Sequence, residues 1–228
     1  MFKTTLVAAA AAAAASISVS ASGGIIAAWS FTSAVPAGSV GTSFTYGAAD
    51  SGEQTAGSSV SSSHAAAATT YSSPAGNGSQ FSFSSNNWTA GDAYIIAVNT
   101  SGYSGISVQW DQTRSSTGPS SFSFDMSSNG GSSWTTLNST VAVIQAGLAG
   151  TNTLSWSTGG AYQAAFTTVV SAGAGADNVS AMLFRIRSNV TTSSGGTSRI
   201  DNVIVSGVPA PGAIGLLGVA GLLSRRRR

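Results

Sequence analysis

The 228-residue chain has no cysteine. Disulfides, a thiol nucleophile and any cysteine-ligated metal centre are therefore excluded, and the fold must be held by packing alone. Charge is scarce, with Asp, Glu, Lys and Arg making up only 7% of the residues. There is one histidine, His64, so a Ser-His-Asp triad would have to be built on it. His64 sits among serines and alanines in a stretch, residues 32–78, with few large apolar side chains. That stretch reads as loop-rich, and His64 reads as a solvated loop histidine. No amphipathic helical period of any length occurs in the mature chain, which argues against a helical architecture.

What is there begins at the two ends. Met1-Phe2-Lys3 is followed by an alanine-dominated apolar run and by Val19-Ser20-Ala21, a small-x-small site. This is the layout of a signal peptide over residues 1–21, to be removed by signal peptidase. At the other end Val208, Pro209, Ala210 and Pro211 precede an apolar segment at 212–223, then Ser224 and Arg225, Arg226, Arg227 and Arg228. Four terminal arginines act as a membrane stop and favour the cytoplasmic side. The apolar segment has twelve residues and four glycines, against about 20 residues for a relaxed spanning helix. A short C-terminal transmembrane helix serving as a temporary anchor is expected.

The ends also distort the charge balance. The chain is formally +2, but Lys3 and the four terminal arginines are five of its nine basic residues. Residues 22–207 carry Arg114, Arg185, Arg187 and Arg199 against Asp50, Glu53, Asp92, Asp111, Asp125, Asp177 and Asp201, so their net charge is 4 − 7 = −3. No basic patch remains to attract nucleic acid.

Between the ends the hydrophobic period is two. Phe81 and Phe83, then Tyr94, Ile96 and Val98, then Ile106, Val108 and Trp110 alternate with polar or small residues. So do Phe122, Phe124 and Met126, Leu154 and Trp156, and Met182, Phe184 and Ile186, the last group against Arg185 and Arg187. Trp29 and Phe31 mark a first strand, Phe44 to Tyr46 an edge strand, and residues 200–205 an inner strand. Short one-faced strands between Gly- and Ser-rich turns predict an all-β fold, a single antiparallel β-sandwich over residues 22–207.

The C-terminal order of Pro-x-Pro motif, hydrophobic segment and arginine tail resembles the PEP-CTERM sorting signal of exported Gram-negative surface proteins. The one departure is Ala210, where that family usually carries Glu. A second likeness covers residues 81–207. Ser101-Gly102-Tyr103, Ser115-Ser116-Thr117-Gly118-Pro119, the run from Ser128 to Trp134, and Arg199-Ile200-Asp201-Asn202 resemble the β-sandwich domain of many such proteins. The resemblance implies a jelly-roll or carbohydrate-binding-module-like fold and no catalytic activity. It also implies processing near 208–211 by an exosortase, a membrane-embedded transpeptidase-like enzyme.

Three functional readings follow. The first is a structural or adhesive component of the cell surface or extracellular polysaccharide matrix. The second is a non-catalytic glycan-binding module, for which Trp88, Tyr103, Trp134 and Tyr162 are the candidate platform residues, since they lie near turns and off the core alternation. The third, a hydrolase, would need two carboxyl groups about 5–9.5 Å apart. Asp111 and Asp125, on strands read as joined by the loop 112–121, are the best pair and read otherwise as solvated surface aspartates. No cofactor is expected. Asp201 is a weak calcium candidate, because jelly-roll binding modules often use an aspartate in the last strand, yet no cluster of carboxylates accompanies it.

Overall fold

A computed structural model describes residues 23–147, 154–157 and 159–210. Residues 1–21, read above as a signal peptide, the apolar segment 212–223 expected to anchor in the membrane, Pro211 and Arg225–Arg228 lie outside the described residues. Among the described residues twelve strands build the domain: β1 Gly24–Trp29, β2 Ser43–Gly47, β3 Ser59–Ser63, β4 Tyr71–Ser72, β5 Phe83–Ser85, β6 Ala93–Val98, β7 Tyr103–Arg114, β8 Ser121–Ser127, β9 Thr135–Ala142, β10 Thr167–Ser171, β11 Met182–Ser188 and β12 Ser198–Pro209. They form two antiparallel sheets. Sheet one runs β10-β7-β12-β5-β4, with β1 also paired to β12; sheet two runs β2-β3-β6-β11-β8-β9. Among the described residues no helix is long and apolar enough to cross a membrane.

The alternating side chains explain the layering. Ile106, Val108 and Trp110 of β7 face inward with Val203 and Val205 of β12, against Tyr94 and Ile96, Phe122 and Phe124, and Phe184 and Ile186 from sheet two, all wholly buried. Trp110 stacks on Phe124 at 4.8 Å, and Phe124 stacks on Phe184 at 5.7 Å, which ties the sheets across the core. Burying a large side chain of this kind contributes about 1.5–3 kcal/mol. This core replaces the absent disulfides.

β12 lies at the centre of sheet one. One of its edges pairs along β7; the other is shared, by β5 against Ser198–Ile200 and by β1 from Val203 to Gly207. The changeover coincides with a bulge between Asp201 and Ile204 and with Asn202 at φ 46°. Bulges re-aim side chains locally, and here Asp201 is turned toward the chain at 76–81.

Four expectations are corrected. The edge strand expected at Phe44 to Tyr46 is present as β2, but residues 32–78 also contain β3 and β4, and Val60, His64 and Tyr71 are buried there. The last two strands were hard to see because β4 has only two residues and β3, Ser-Val-Ser-Ser-Ser, has a single large apolar side chain, Val60, with Ser62 at its other inward position. Residues 154–157 form no strand; Trp156 instead packs edge-on against Phe166 at 5.2 Å outside the main core. β7 and β8 are not a hairpin, since the chain between them crosses from sheet one to sheet two. Finally, β12 continues past 207: Val208 pairs with Ser104, Pro209 pairs with Tyr103, and the Ala210 N–H donates to the Gly102 carbonyl at 2.7 Å.

Candidate functional site

The crossover separates the carboxylate pair. Asp111 and Asp125 both take the outward parity of their strands, but those strands belong to opposite sheets. The outer faces of packed sheets point away from each other across layers about 10 Å apart, so the two acids share no site. Neither is solvated, for both are wholly buried.

Asp111 belongs to a polar cluster under a cover formed by residues 73–81, 154–157 and 159–166. It faces Asp201 across the β7–β12 register. Its Oδ2 accepts from Asn77 Nδ2 at 2.9 Å and Asn202 Nδ2 at 2.8 Å, and its Oδ1 from Thr167 Oγ1 at 2.6 Å. Asp201 Oδ2 accepts from the Asn77 N–H at 2.7 Å and Ser79 Oγ at 2.6 Å, while Oδ1 takes the Asn202 N–H at 2.8 Å. Burial pushes the Asp201 carboxyl up to about 6, and the facing Asp111 adds to the rise against those three hydrogen bonds. The donors already aimed at these oxygens are what a neutralising cation would have to displace. Among the described residues no three His, Cys, Asp or Glu side chains gather to hold a metal.

His64 is not a loop histidine in water. It follows β3 on the inward parity of Val60 and Ser62, and its side chain is wholly buried. Its Nδ1 lies 3.1 Å from Asp92 Oδ2, and its Nε2 lies 2.9 Å from Ser62 Oγ and 3.1 Å from Ser85 Oγ. Asp92 is itself fixed by the N–H groups of Ala65 and Thr89, at 2.8 and 2.6 Å. Burial lowers the His64 pKa, and the Asp92 charge opposes the shift. The order Ser-His-Asp is that of a nucleophilic triad. However, Trp88 packs edge-on over the imidazole at 4.4 Å, and Ser62 and Ser85 are each only 1% exposed. No substrate reaches these hydroxyls. The trio acts as a polar brace, with every polar atom of the imidazole satisfied inside the core.

The aromatic candidates divide. Trp88 is wholly buried, donates its Nε1–H to the Ser85 carbonyl at 2.9 Å and packs against Tyr94 and Phe122. Tyr103 is 6% exposed and donates to the Glu53 carboxylate. Burial pushes its phenol up to about 12, aided by Glu53. Neither offers a face to a sugar. Tyr162 is 49% exposed, on the cover over sheet one. Trp134 lies on sheet two, half-buried, with the Arg185 guanidinium 4.1 Å from its ring centroid. The four do not form one platform.

The outer face of sheet two holds an arrangement built on charged rather than aromatic side chains. Arg185 and Arg187 of β11 donate through Nε to the same Asp125 Oδ2, at 2.7 and 2.9 Å. Thr136 Oγ1 donates to Asp125 Oδ1 at 2.7 Å. Burial alone would raise the Asp125 pKa, but the hydrogen bonds from Arg187, Thr136 and Arg185 outweigh it and hold the carboxyl low. A signal was present in the sequence: two of the four arginines between the ends share one strand parity, and Asp125 has the matching parity on β8.

The sequence matches no protein-family model and no curated protein. Among solved structures the fold is similar to the K1 cleaved adhesin domain of Lys-gingipain from Porphyromonas gingivalis W83, at 14% identity over 78% of this chain and 95% of that one, with a TM-score of 0.39. It is similar to a carbohydrate-binding module of the β-sandwich superfamily, at 9% identity over 80% of this chain and 62% of that one, TM-score 0.40. It is also similar to the N-terminal cellulose-binding domain from Cellulomonas fimi β-1,4-glucanase C, at 12% identity over 72% and 88% of the two chains, TM-score 0.30. Likenesses this shallow leave the function to the chain's own residues.

Proposed function

We propose that the protein is an exported, non-catalytic β-sandwich, delivered through its PEP-CTERM-like tail to the cell surface or extracellular matrix, where it serves a structural or adhesive role. The observation that carries the reading is the junction of domain and tail. β12 stays paired through Pro209, and Ala210 is still tied to Gly102. Pro211 and the apolar-arginine segment then follow without a linker. A folded domain thus abuts a short anchor at the point where an exosortase-type enzyme would cut. The non-catalytic part is supported by the interior positions of His64, Asp92, Asp111 and Asp201, whose polar atoms are committed to hydrogen bonds that hold the fold.

Deletion of residues 212–228 tests this reading, because it removes the segment and leaves every described contact in place. Pulse-labelled cells should then release the unprocessed domain to the periplasm. The full chain should pass from membrane to surface fraction with a mass drop of the tail. Unchanged processing and delivery in the deletion would overturn it.

The second reading, a glycan-binding module, is favoured by the Trp134–Arg185 stack on an open sheet face.

A further inference from the structure

The outer face of sheet two carries a preorganised cationic fork. Asp125 accepts both arginine Nε groups on one oxygen and Thr136 on the other. Among the described residues nothing accepts from the Nη groups of Arg185 or Arg187, and the two side chains are 24% and 29% exposed. The group Arg185, Arg187 and Asp125 has a net charge of 2 − 1 = +1, within a domain of −3. The domain's other two arginines lie away from this face: Arg114 donates to the carbonyls of Val143, Ser115 and Ser116, and Arg199, whose Nε is buried, stands on β12 in sheet one.

Arg185 and Arg187 are two residues apart on one strand face, so their Cα atoms are separated by about 6.6 Å. Their planes are fixed, by Asp125 for both and by Trp134 for Arg185. A guanidinium held through Nε still offers its Nη edge to an incoming carboxylate, and such charge-assisted bonds are the strong ones. From the fork the face runs on across β6, β3 and β2, past buried Ala93 and half-buried Ile95 to the hydroxyl residues of β3 and β2. Arg187 registers with Ala93, then Ser63 and Ser43; Arg185 registers with Ile95, then Ser61 and Thr45. Three strand spacings make this track about 14 Å wide.

We propose that this face binds a carboxylated polysaccharide, with acid groups of the chain on the Nη edges of Arg185 and Arg187 and its sugar rings across the Ala93–Ile95 and Ser61–Ser63 track. The proposal rests on the reading of the domain as a non-catalytic surface module. A peptide strand would seek the unpaired backbone of a sheet edge, whereas this is a face whose backbone is already paired. A polymer with intermittent carboxylates and many hydroxyls matches both the fork and the hydroxyl-lined track.

The test is calorimetric titration of the full chain in detergent with polygalacturonate, alongside neutral dextran and dextran sulfate. Binding to polygalacturonate, none to dextran, and weakening by roughly tenfold or more between about 50 and about 500 mM NaCl are expected. Arg187→Gln should weaken binding roughly tenfold. Ser63→Glu, at an exposed strand end far from Asp125, should weaken it without touching the fold, which keeps the test valid if the arginine variant unfolds. Absence of polygalacturonate binding, equal binding to dextran, binding to dextran sulfate alone, or indifference to both substitutions would each overturn the proposal. Surface delivery of these variants should stay normal, so a failure here is distinguishable from a failure of the sorting reading.

Discussion

Asp125 and Asp201 show how two buried aspartates on outward parities acquire opposite behaviour from their neighbours. Asp125 meets cations; Asp201 meets another carboxylate and uncharged donors. A depressed carboxyl contributes stability that is present above the ordinary carboxylate pKa and lost as pH falls through the folded value. Asp201 has the reverse sign. Its folded value of about 6 lies above the unfolded value of about 3.9. Its stabilising contribution is thus full below about pH 4 and is lost as pH rises through about 6, a change of roughly 3 kcal/mol. His64, lowered by burial, opposes this, since its contribution is present above its ordinary value and is lost as pH falls. Asp201→Asn isolates the first effect. The difference in urea-unfolding free energy between the native chain and Asp201→Asn should shift in favour of Asp201 by roughly 3 kcal/mol between about pH 7 and about pH 4. A pH-independent difference would refute the assignment. None of this could be read from residue spacing, because Asp111 and Asp201 are ninety positions apart in sequence and meet only through strand register.

At the scale of elements, period-two alternation located β6, β7, β8, β11 and β12, because each combines large inward side chains with small or polar outward ones. It failed where that contrast vanished. The inward side of β3 and the residue after it bury Ser62 and His64, β9 is rich in threonine and mostly exposed, and β10 buries none of its side chains fully. Alternation also says which face a residue takes but not which sheet, which is why Asp111 and Asp125 read as partners when they are not. The bulge in β12 was equally invisible, yet it organises the cover over sheet one. Gly76 allows that cover to close. A Cβ there would lie 1.9 Å from Ser79 Oγ and 2.5 Å from both Asp201 Oδ2 and the Phe81 carbonyl. Gly76→Ala should therefore cost about 1–3 kcal/mol by overpacking, a fall in Tm of about 2–4 °C per kcal/mol for a domain of this size. Gly195→Ala, where an added Cβ meets nothing within 4 Å, should leave Tm within error in the same scan.

For the whole molecule, the question is where the folded domain stops and the segment proposed for sorting starts. Composition places the boundary after Gly207, at the start of the Val208-Pro209-Ala210-Pro211 motif. Pairing places it three residues later. Val208 and Pro209 still lie beside Ser104 and Tyr103, and the Ala210 N–H closes the ladder on Gly102. Tyr103 in turn is held by Glu53, so the start of β7 is a fixed ledge rather than a fraying end. Composition could not reveal this, because Pro-x-Pro looks like linker chemistry, and proline is tolerated at a strand position that needs no N–H. The two boundaries make different demands. A chain ending at Ala210 keeps every described contact and should melt like the full-length protein. A chain ending at Gly207 loses the last ladder bonds and half-buried Val208, at roughly 1–2 kcal/mol, and should melt about 2–8 °C lower. If the domain does extend to Ala210, a processing enzyme acting within 208–210 has to peel the end of β12 from β7 before it can cut. Processing should then quicken in Glu53→Gln, which weakens the ledge under Tyr103, while the rest of the sandwich stays folded. Equal melting of the two truncations, together with unchanged processing in Glu53→Gln, would place the boundary back at Gly207.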